Sequence, residues 1–126
     1  MKIINLADFQ ISNNNQLVLI AGPCVIESEQ HSLMMAEKIT NICQKLNVKF
    51  IYKSSFDKAN RSSINSKRGI SIIEADKIFE KIKSSFKCPI LTDVHNEAQC
   101  NFFANSDNVD VLQIPAFLCR QTDLLI

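Results

Sequence analysis

The chain has 126 residues, of which 46% are hydrophobic and 21% are charged, and its formal net charge is +1. This composition is typical of one globular domain, and the small net charge excludes attraction to nucleic acid or to a membrane through an overall electrostatic field. The longest apolar runs, such as Leu17-Val-Leu-Ile-Ala21, fall far short of the roughly 20 residues of a membrane span. The N-terminal residues lack a signal-peptide core, so we expect a cytoplasmic protein without nucleic-acid or membrane partners.

The cysteines do not form a disulfide pattern. They are Cys24, Cys43, Cys88, Cys100 and Cys119, which is an odd number without a C-x-x-C pair. Scattered cysteines of this kind favour a reducing compartment. We predict that Cys43 and Cys100, which fall within helical patterns, are ordinary buried thiols.

Hydrophobic periodicity predicts strands and helices in alternation. A small hairpin at residues 2–6 and 9–12 comes first. Strands are predicted at residues 17–21, 50–54, 89–94 and 109–114. Helices are predicted at residues 29–46 and 71–86, after the cap residue Asn96, and from residue 119 onward.

Two of these helices have a predicted apolar face. Met35, Ile39, Ile42 and Leu46 are spaced to form the buried stripe of the first helix. The second helix opens with a capping box of Ser71 and Glu74. Its stripe comprises Ala75, Ile78, Phe79, Ile82 and Phe86. Ser28 is interpreted as a helix cap and His31 as a residue at a helix start or on the surface.

The alternation predicts a parallel sheet covered by helices. Polar segments follow all four strands, at residues 21–28, 53–63, 92–95 and 113–123. Functional side chains at the carboxyl ends of successive parallel strands indicate the active face of a barrel or the crevice of an open sheet. The segment 53–63 holds two lysines, an arginine, an asparagine and four serines. Such groups bind phosphate and carboxylate anions.

These four segments together resemble 3-deoxy-D-manno-octulosonate 8-phosphate synthase, also called 2-dehydro-3-deoxyphosphooctonate aldolase. The first segment, Ala21-Gly-Pro-Cys24, is shared with the sister family, 3-deoxy-D-arabino-heptulosonate 7-phosphate synthase. That sister typically reads Lys-Pro-Arg in the second segment and Thr-Glu-Val in the third. Because this chain has Lys58-Ala-Asn-Arg61 and Thr92-Asp-Val-His95 there, the octulosonate family is favoured and the sister is the lesser alternative.

The resemblance implies a (β/α)8 TIM barrel, usually a homotetramer. Residues 1–126 would be the amino-terminal half of that single domain, with the hairpin and about the first four βα units. The implied reaction condenses phosphoenolpyruvate with D-arabinose 5-phosphate and water, releases phosphate and serves lipopolysaccharide (Kdo) biosynthesis. A half-barrel with open sheet edges is expected to be inactive by itself. The alternative is a non-catalytic remnant that at most binds phosphorylated ligands.

The resemblance also implies roles for individual residues. Lys53 and Lys58 would bind phosphoenolpyruvate and stabilise charge in the transition state, with help from Ser55. The arabinose 5-phosphate site would comprise Asn60, Arg61 and Ser62. Asp57 would orient the lysines or the nearby backbone, or be a simple loop carboxylate.

Further roles fall at the third and fourth strand ends. Asp93 and His95 would line the sugar and water side of the site and take part in proton transfer. Gln113 and the backbone amide of Ala116 would hold the phosphoenolpyruvate phosphate. Phe117 would pack across the substrates, and Arg120 would reach a neighbouring subunit's site.

Cys24 stands where the resembling family has either Cys or Asn. The Cys form resembles the metal-dependent class, in which the thiolate binds a divalent ion such as iron(II), zinc or manganese. The ion would act as a Lewis acid on the sugar aldehyde or the water. Further ligands and cationic residues are expected from later strands, and no organic cofactor is expected.

Overall fold

The computed structural model describes residues 2–58 and 68–126. Its strands are β1 (Ile4–Leu6), β2 (Phe9–Ile11), β3 (Val18–Ala21), β4 (Lys49–Lys53), β5 (Ile90–Asp93) and β6 (Val111–Gln113). Its helices are α1 (Glu29–Leu46), α2 (Ile72–Phe86), α3 (Glu97–Ala104) and α4 (Thr122–Leu125), with a 3₁₀ turn at Ala116–Leu118. The predicted order of strands and helices is therefore confirmed. Among the described residues, no helix combines the length and apolarity needed to cross a membrane.

The main sheet is parallel and follows the order of the chain. β1 and β2 pair antiparallel as the predicted hairpin, and the four later strands are hydrogen-bonded in the order β3-β4-β5-β6. A doubly wound sheet reverses its strand order at a switch point, whereas these strands run in sequence without reversal. The α/β fold with a parallel sheet is confirmed, and the topology fits the first part of a barrel.

Side-chain caps fix where the helices begin. Ser28, Ser71 and Asn96 each accept a hydrogen bond from the backbone N–H three residues later, at 3.1, 3.2 and 3.0 Å. These bonds satisfy N–H groups that have no partner within the helix. The carboxyl ends of α1 and α2 are capped by Asn47 and Lys87, whose φ angles are 53° and 54°. The three caps predicted from the sequence are thus confirmed.

α2 supplies much of the core. Its buried residues are Ala75, Ile78, Phe79 and Ile82, as predicted, and Phe86 is half-buried. They join Tyr52 of β4, Ile90 of β5 and Phe103 of α3 in one hydrophobic cluster. Burial of such side chains is the main favourable term in folding.

The predicted apolar face of α1 is wrong in its second half. Ile42 and Leu46 are 56% and 67% exposed. The buried residues of α1 are instead Ser32, Ala36 and Cys43. Small side chains permit a close approach to the neighbouring helix and strand, so the buried face is rotated away from the larger residues. Cys43 is buried as predicted, whereas Cys100 is only half-buried.

Two carboxylates fix the position of β6. Asp110 accepts hydrogen bonds from the Ile90 backbone N–H and from Lys83 Nζ, both at 2.8 Å. Asp76 of α2 accepts from Ser106 Oγ at 2.5 Å and from Asn108 Nδ2 at 3.0 Å. These contacts tie the segment between α3 and β6 to α2 and thereby set the carboxyl end of β6 beside that of β5.

The buried phenol of Tyr52 predicts a loss of stability in alkali. Tyr52 is fully buried, and burial raises its pKa from 10.0 to about 12. The neutral phenol therefore stabilises the native state below pH 10, and this contribution of about 2–3 kcal/mol is lost as the pH rises towards 12. Tyr52→Phe should flatten the fall in unfolding free energy over that range in urea titrations. At pH 8, the difference in unfolding free energy between the two proteins reports only the contacts that the hydroxyl group makes. If the unfolding free energies of both proteins fell equally with pH above pH 10, the prediction would be contradicted.

Candidate active site

An open cleft of about 570 Å³ lies at the carboxyl ends of the parallel strands. It is lined by Cys24, Lys53, Ser55, Asp57, Lys58, Asp93, His95, Pro115, Phe117 and Leu118. Seven of these ten residues are among those to which the family resemblance gives a role in substrate binding, proton transfer or metal binding: Cys24, Lys53, Ser55, Lys58, Asp93, His95 and Phe117. The structure therefore brings residues from all four strand ends to one place.

Cys24 reaches the cleft because the end of β3 contains a bulge. The regular pairing of β3 with β4 ends at Ala21 and Tyr52, and resumes at an isolated bridge between Val25 and Ser55. Residues 22–24 thus lie opposite residues 53–54, which is three residues against two. A bulge bends the strand and redirects side chains, and such features are frequent beside active sites. Here it leaves the thiol of Cys24 exposed at the cleft.

The lysines stand on either side of a buried serine. Lys53 is the last residue of β4 and is half-buried, whereas Lys58 is exposed. Between them, Ser55 donates its hydroxyl hydrogen bond to the Asp57 carbonyl at 3.0 Å. The chain bends at Phe56, and both lysines line the same cleft. Two cations placed in this way favour an anionic ligand.

Asp57 forms an ion pair with Arg68. Its carboxylate accepts two hydrogen bonds from Arg68, at 2.8 Å from Nε and 3.1 Å from the second nitrogen. The hydrogen bonds from Arg68 to Asp57, together with the charge of Asp57, raise the pKa of Arg68. The Lys58 N–H also donates to the Arg68 carbonyl at 2.6 Å. Asp57 thus holds the backbone next to Lys58. The sequence-based interpretation did not identify Arg68, and its position between the polar segment and the Ser71 cap is the only signal.

Asp93 and His95 form a hydrogen-bonded pair in the cleft. His95 Nε2 lies 3.0 Å from Asp93 Oδ2, and the side chains are only 17% and 13% exposed. The His95 backbone N–H donates to Gln99 Oε1 at 2.8 Å, which ties the pair to α3. Asp93 Oδ1 and His95 Nδ1 are buried without a hydrogen-bond partner among the described residues. Buried polar atoms in this condition are suited to hydrogen-bond a bound molecule or water.

Several predicted residues are not in the cleft lining. Gln113, Ala116 and Arg120 are all exposed, and none of them lines the cleft. The 3₁₀ turn instead directs Phe117 and Leu118 towards it. Pro115 and Leu118 were missed because an apolar side chain next to a binding segment carries no distinctive sequence signal.

The arabinose 5-phosphate residues Asn60, Arg61 and Ser62 lie outside the described residues. Their predicted role stays a prediction. The roles predicted for the residues that line the cleft also stay predictions.

Cys24 is the residue that the family resemblance assigns to a metal ion. The exposed thiol of Cys24 borders the same cleft as the Asp93 carboxylate and the His95 imidazole. However, in residues 2–58 and 68–126 there is no group of three or more His, Cys, Asp or Glu side chains arranged to hold a metal ion. Cys24 therefore fits as a single ligand, and a complete metal shell needs donors beyond this described set.

Comparison with known sequences identifies the family of the chain. The sequence model of the DAHP synthetase I family matches residues 1–126. The chain belongs to this family. The family takes its name from the sister enzyme, 3-deoxy-D-arabino-heptulosonate 7-phosphate synthase. The names of individual relatives distinguish the sister enzyme from the octulosonate synthase.

Three relatives within this family come from Rickettsia, and each is named 2-dehydro-3-deoxyphosphooctonate aldolase. The protein of Rickettsia typhi is 59% identical over 98% of this chain, that of Rickettsia prowazekii 57%, and that of Rickettsia canadensis 55%, each over 98%. The chain spans 44% of the length of each. The resemblance to the octulosonate family is confirmed.

Proposed function

We propose that this chain forms part of an octulosonate synthase, which joins phosphoenolpyruvate to D-arabinose 5-phosphate. The observation that carries the proposal is the cleft itself. Lys53 and Lys58 border it beside the Asp93–His95 pair, whose two buried atoms lack partners among the described residues. The relatives named above support the same reaction. It would serve the lipopolysaccharide (Kdo) pathway in the cytoplasm.

The reaction needs the groups that the cleft offers. A carbon–carbon bond forms between the two substrates, water adds its oxygen, and phosphate leaves by cleavage of a carbon–oxygen bond. Lys53 and Lys58 are placed to hold the phosphate and carboxylate of phosphoenolpyruvate and to stabilise negative charge as it develops. The water must lose a proton and the aldehyde oxygen must gain one. The Asp93–His95 pair is suited to such transfers.

The remaining substrate contacts are also proposals. Asn60, Arg61 and Ser62 would hold the sugar phosphate, while Gln113 and the Ala116 amide would hold the phosphoenolpyruvate phosphate. We also propose a homotetramer, in which Arg120 reaches a neighbouring site.

The test joins this chain to the part of the Rickettsia typhi relative that it does not match. This chimera should release inorganic phosphate from phosphoenolpyruvate only when D-arabinose 5-phosphate is present. The 126-residue chain alone should release none. A folded chimera without this activity would overturn the proposal and favour the alternative, a remnant that at most binds phosphorylated ligands.

We further propose that Cys24 is one ligand of a divalent metal ion, which would supply Lewis-acid activation of the aldehyde or the water. Cys24→Ala in the chimera should reduce bound metal, measured by elemental analysis, and lower activity at least about 100-fold. A chelator should have the same effect. Cys119→Ser is the matched control because Cys119 is also exposed but does not line the cleft. Unchanged metal content in Cys24→Ala would exclude the ligand role.

A further inference from the structure

Two buried hydroxyl groups connect three strands beneath Cys24. Ser54 Oγ donates a hydrogen bond to the Pro23 carbonyl at 3.0 Å, from β4's end to the bulge that follows β3. Thr92 Oγ1 of β5 donates to the Ser54 carbonyl at 2.9 Å. Both side chains are 0% exposed. The two bonds therefore form a relay of hydroxyl groups from β5 through β4 to the residue before Cys24.

The relay replaces backbone pairing that the bulge removes. Between the Ala21–Tyr52 and Val25–Ser55 pairs, β3 has one more residue than β4, so its carbonyls lose their register with the neighbouring N–H groups. Pro23 has no N–H of its own to contribute. The Ser54 hydroxyl supplies the missing donor for the Pro23 carbonyl. At the last residue of the bulge, the Cys24 carbonyl accepts a hydrogen bond from the Ser55 N–H at 3.2 Å.

We propose that Ser54 and Thr92 are positioning residues that set where the Cys24 thiol stands in the cleft. Their burial keeps both hydroxyls away from any bound molecule, so they act through the backbone of residues 22–24. Thr92 has a second link to the site because it directly precedes Asp93. The relay thus sets the position of the Cys24 thiol relative to the Asp93–His95 pair. The importance of this position for catalysis rests on the proposed function, whereas the positioning itself does not.

The test compares Ser54→Ala and Thr92→Val with Thr92→Ser. Valine has the shape of threonine but cannot donate a hydrogen bond, whereas serine keeps the hydroxyl. The first two variants should accelerate exchange of the Ser55 amide hydrogen about threefold to tenfold, the range expected for loss of one hydrogen bond. The rate of Cys24 alkylation by iodoacetamide should change with it, because the exposed thiol is no longer held in one position beside the Asp93–His95 pair. Thr92→Ser should behave as the unchanged protein does.

Peptide-resolved mass spectrometry supplies the internal controls. Cys119 is exposed and outside the relay, so its alkylation rate should stay constant, and the buried Cys43 should stay unlabelled while the fold persists. If labelling of Cys43 shows that Thr92→Val is unfolded, Ser54→Ala decides the question.

Unchanged Cys24 reactivity in a folded Ser54→Ala protein would overturn the proposal. So would a Thr92→Ser protein as perturbed as Thr92→Val. A folded chimera that releases no phosphate would contradict the proposed function, while the alkylation result would still decide the positioning role.

Discussion

Replacing Lys53 by alanine in the chimera is expected to lower kcat/KM by about 100-fold to 1,000-fold. Lys53 ends β4, is half-buried and lines the cleft. A cation in such a position stabilises developing negative charge more strongly than one in bulk water. The measurement is the rate of phosphate release over a range of phosphoenolpyruvate concentrations.

Lys49→Ala is the matched control for Lys53→Ala. Lys49 starts the same strand, at the opposite end, and contacts Asp8 at 3.3 Å with both side chains more than half exposed. An exposed ion pair of this kind contributes little to stability. Lys49→Ala should therefore leave kcat/KM unchanged, and an equal loss in both variants would show that the effect of Lys53→Ala is not local to the cleft.

Gly22→Ala should destabilise the fold by about 2–3 kcal/mol. A Cβ atom at residue 22 would lie 1.9 Å from the Lys53 carbonyl oxygen, which belongs to the backbone of β4 and cannot move aside as a side chain does. The bulge or the end of β4 must therefore shift. Urea unfolding followed by circular dichroism measures the loss, and Cys24 alkylation reports the shift of the bulge.

Ala98→Ser provides a comparison for Gly22→Ala. Residue 98 lies in α3 and is exposed, so one added heavy atom has open space there. The unfolding free energy of the Ala98→Ser protein should stay within about 0.5 kcal/mol of that of the unsubstituted protein. A Gly22→Ala protein of unchanged stability would mean that the close approach of residues 22 and 53 is absent in solution.

Local patterns predicted the secondary structure well because they depend on nearby residues. The caps Ser28, Ser71 and Asn96 lie within three residues of the N–H groups that they bind. The buried stripe of α2 follows from helical spacing. The face of α1 was wrong at Ile42 because spacing gives the direction of an apolar stripe, while the neighbouring element decides which side chains fit against it.

The cleft was predicted only in part. Its charged residues were found because parallel strands bring their carboxyl ends to one edge. The bulge at residues 22–24 could not be read from the sequence, because it is a difference in register between two strands that are about thirty residues apart. The Asp57–Arg68 pair spans eleven residues of polar sequence, where many pairings are equally plausible from composition. Such contacts depend on the folded path of the chain.

Because of the bulge, the side chain at position 24 contributes little to the stability of the fold. The backbone of Cys24 is held by the Ser55 N–H, but its side chain is exposed and is not part of the hydrophobic core. Exchange of this thiol for an amide or a carboxylate therefore changes the chemistry offered to the cleft without repacking the interior. A substitution at position 24 is therefore expected to change the reactivity of the cleft at little cost to the stability of the fold.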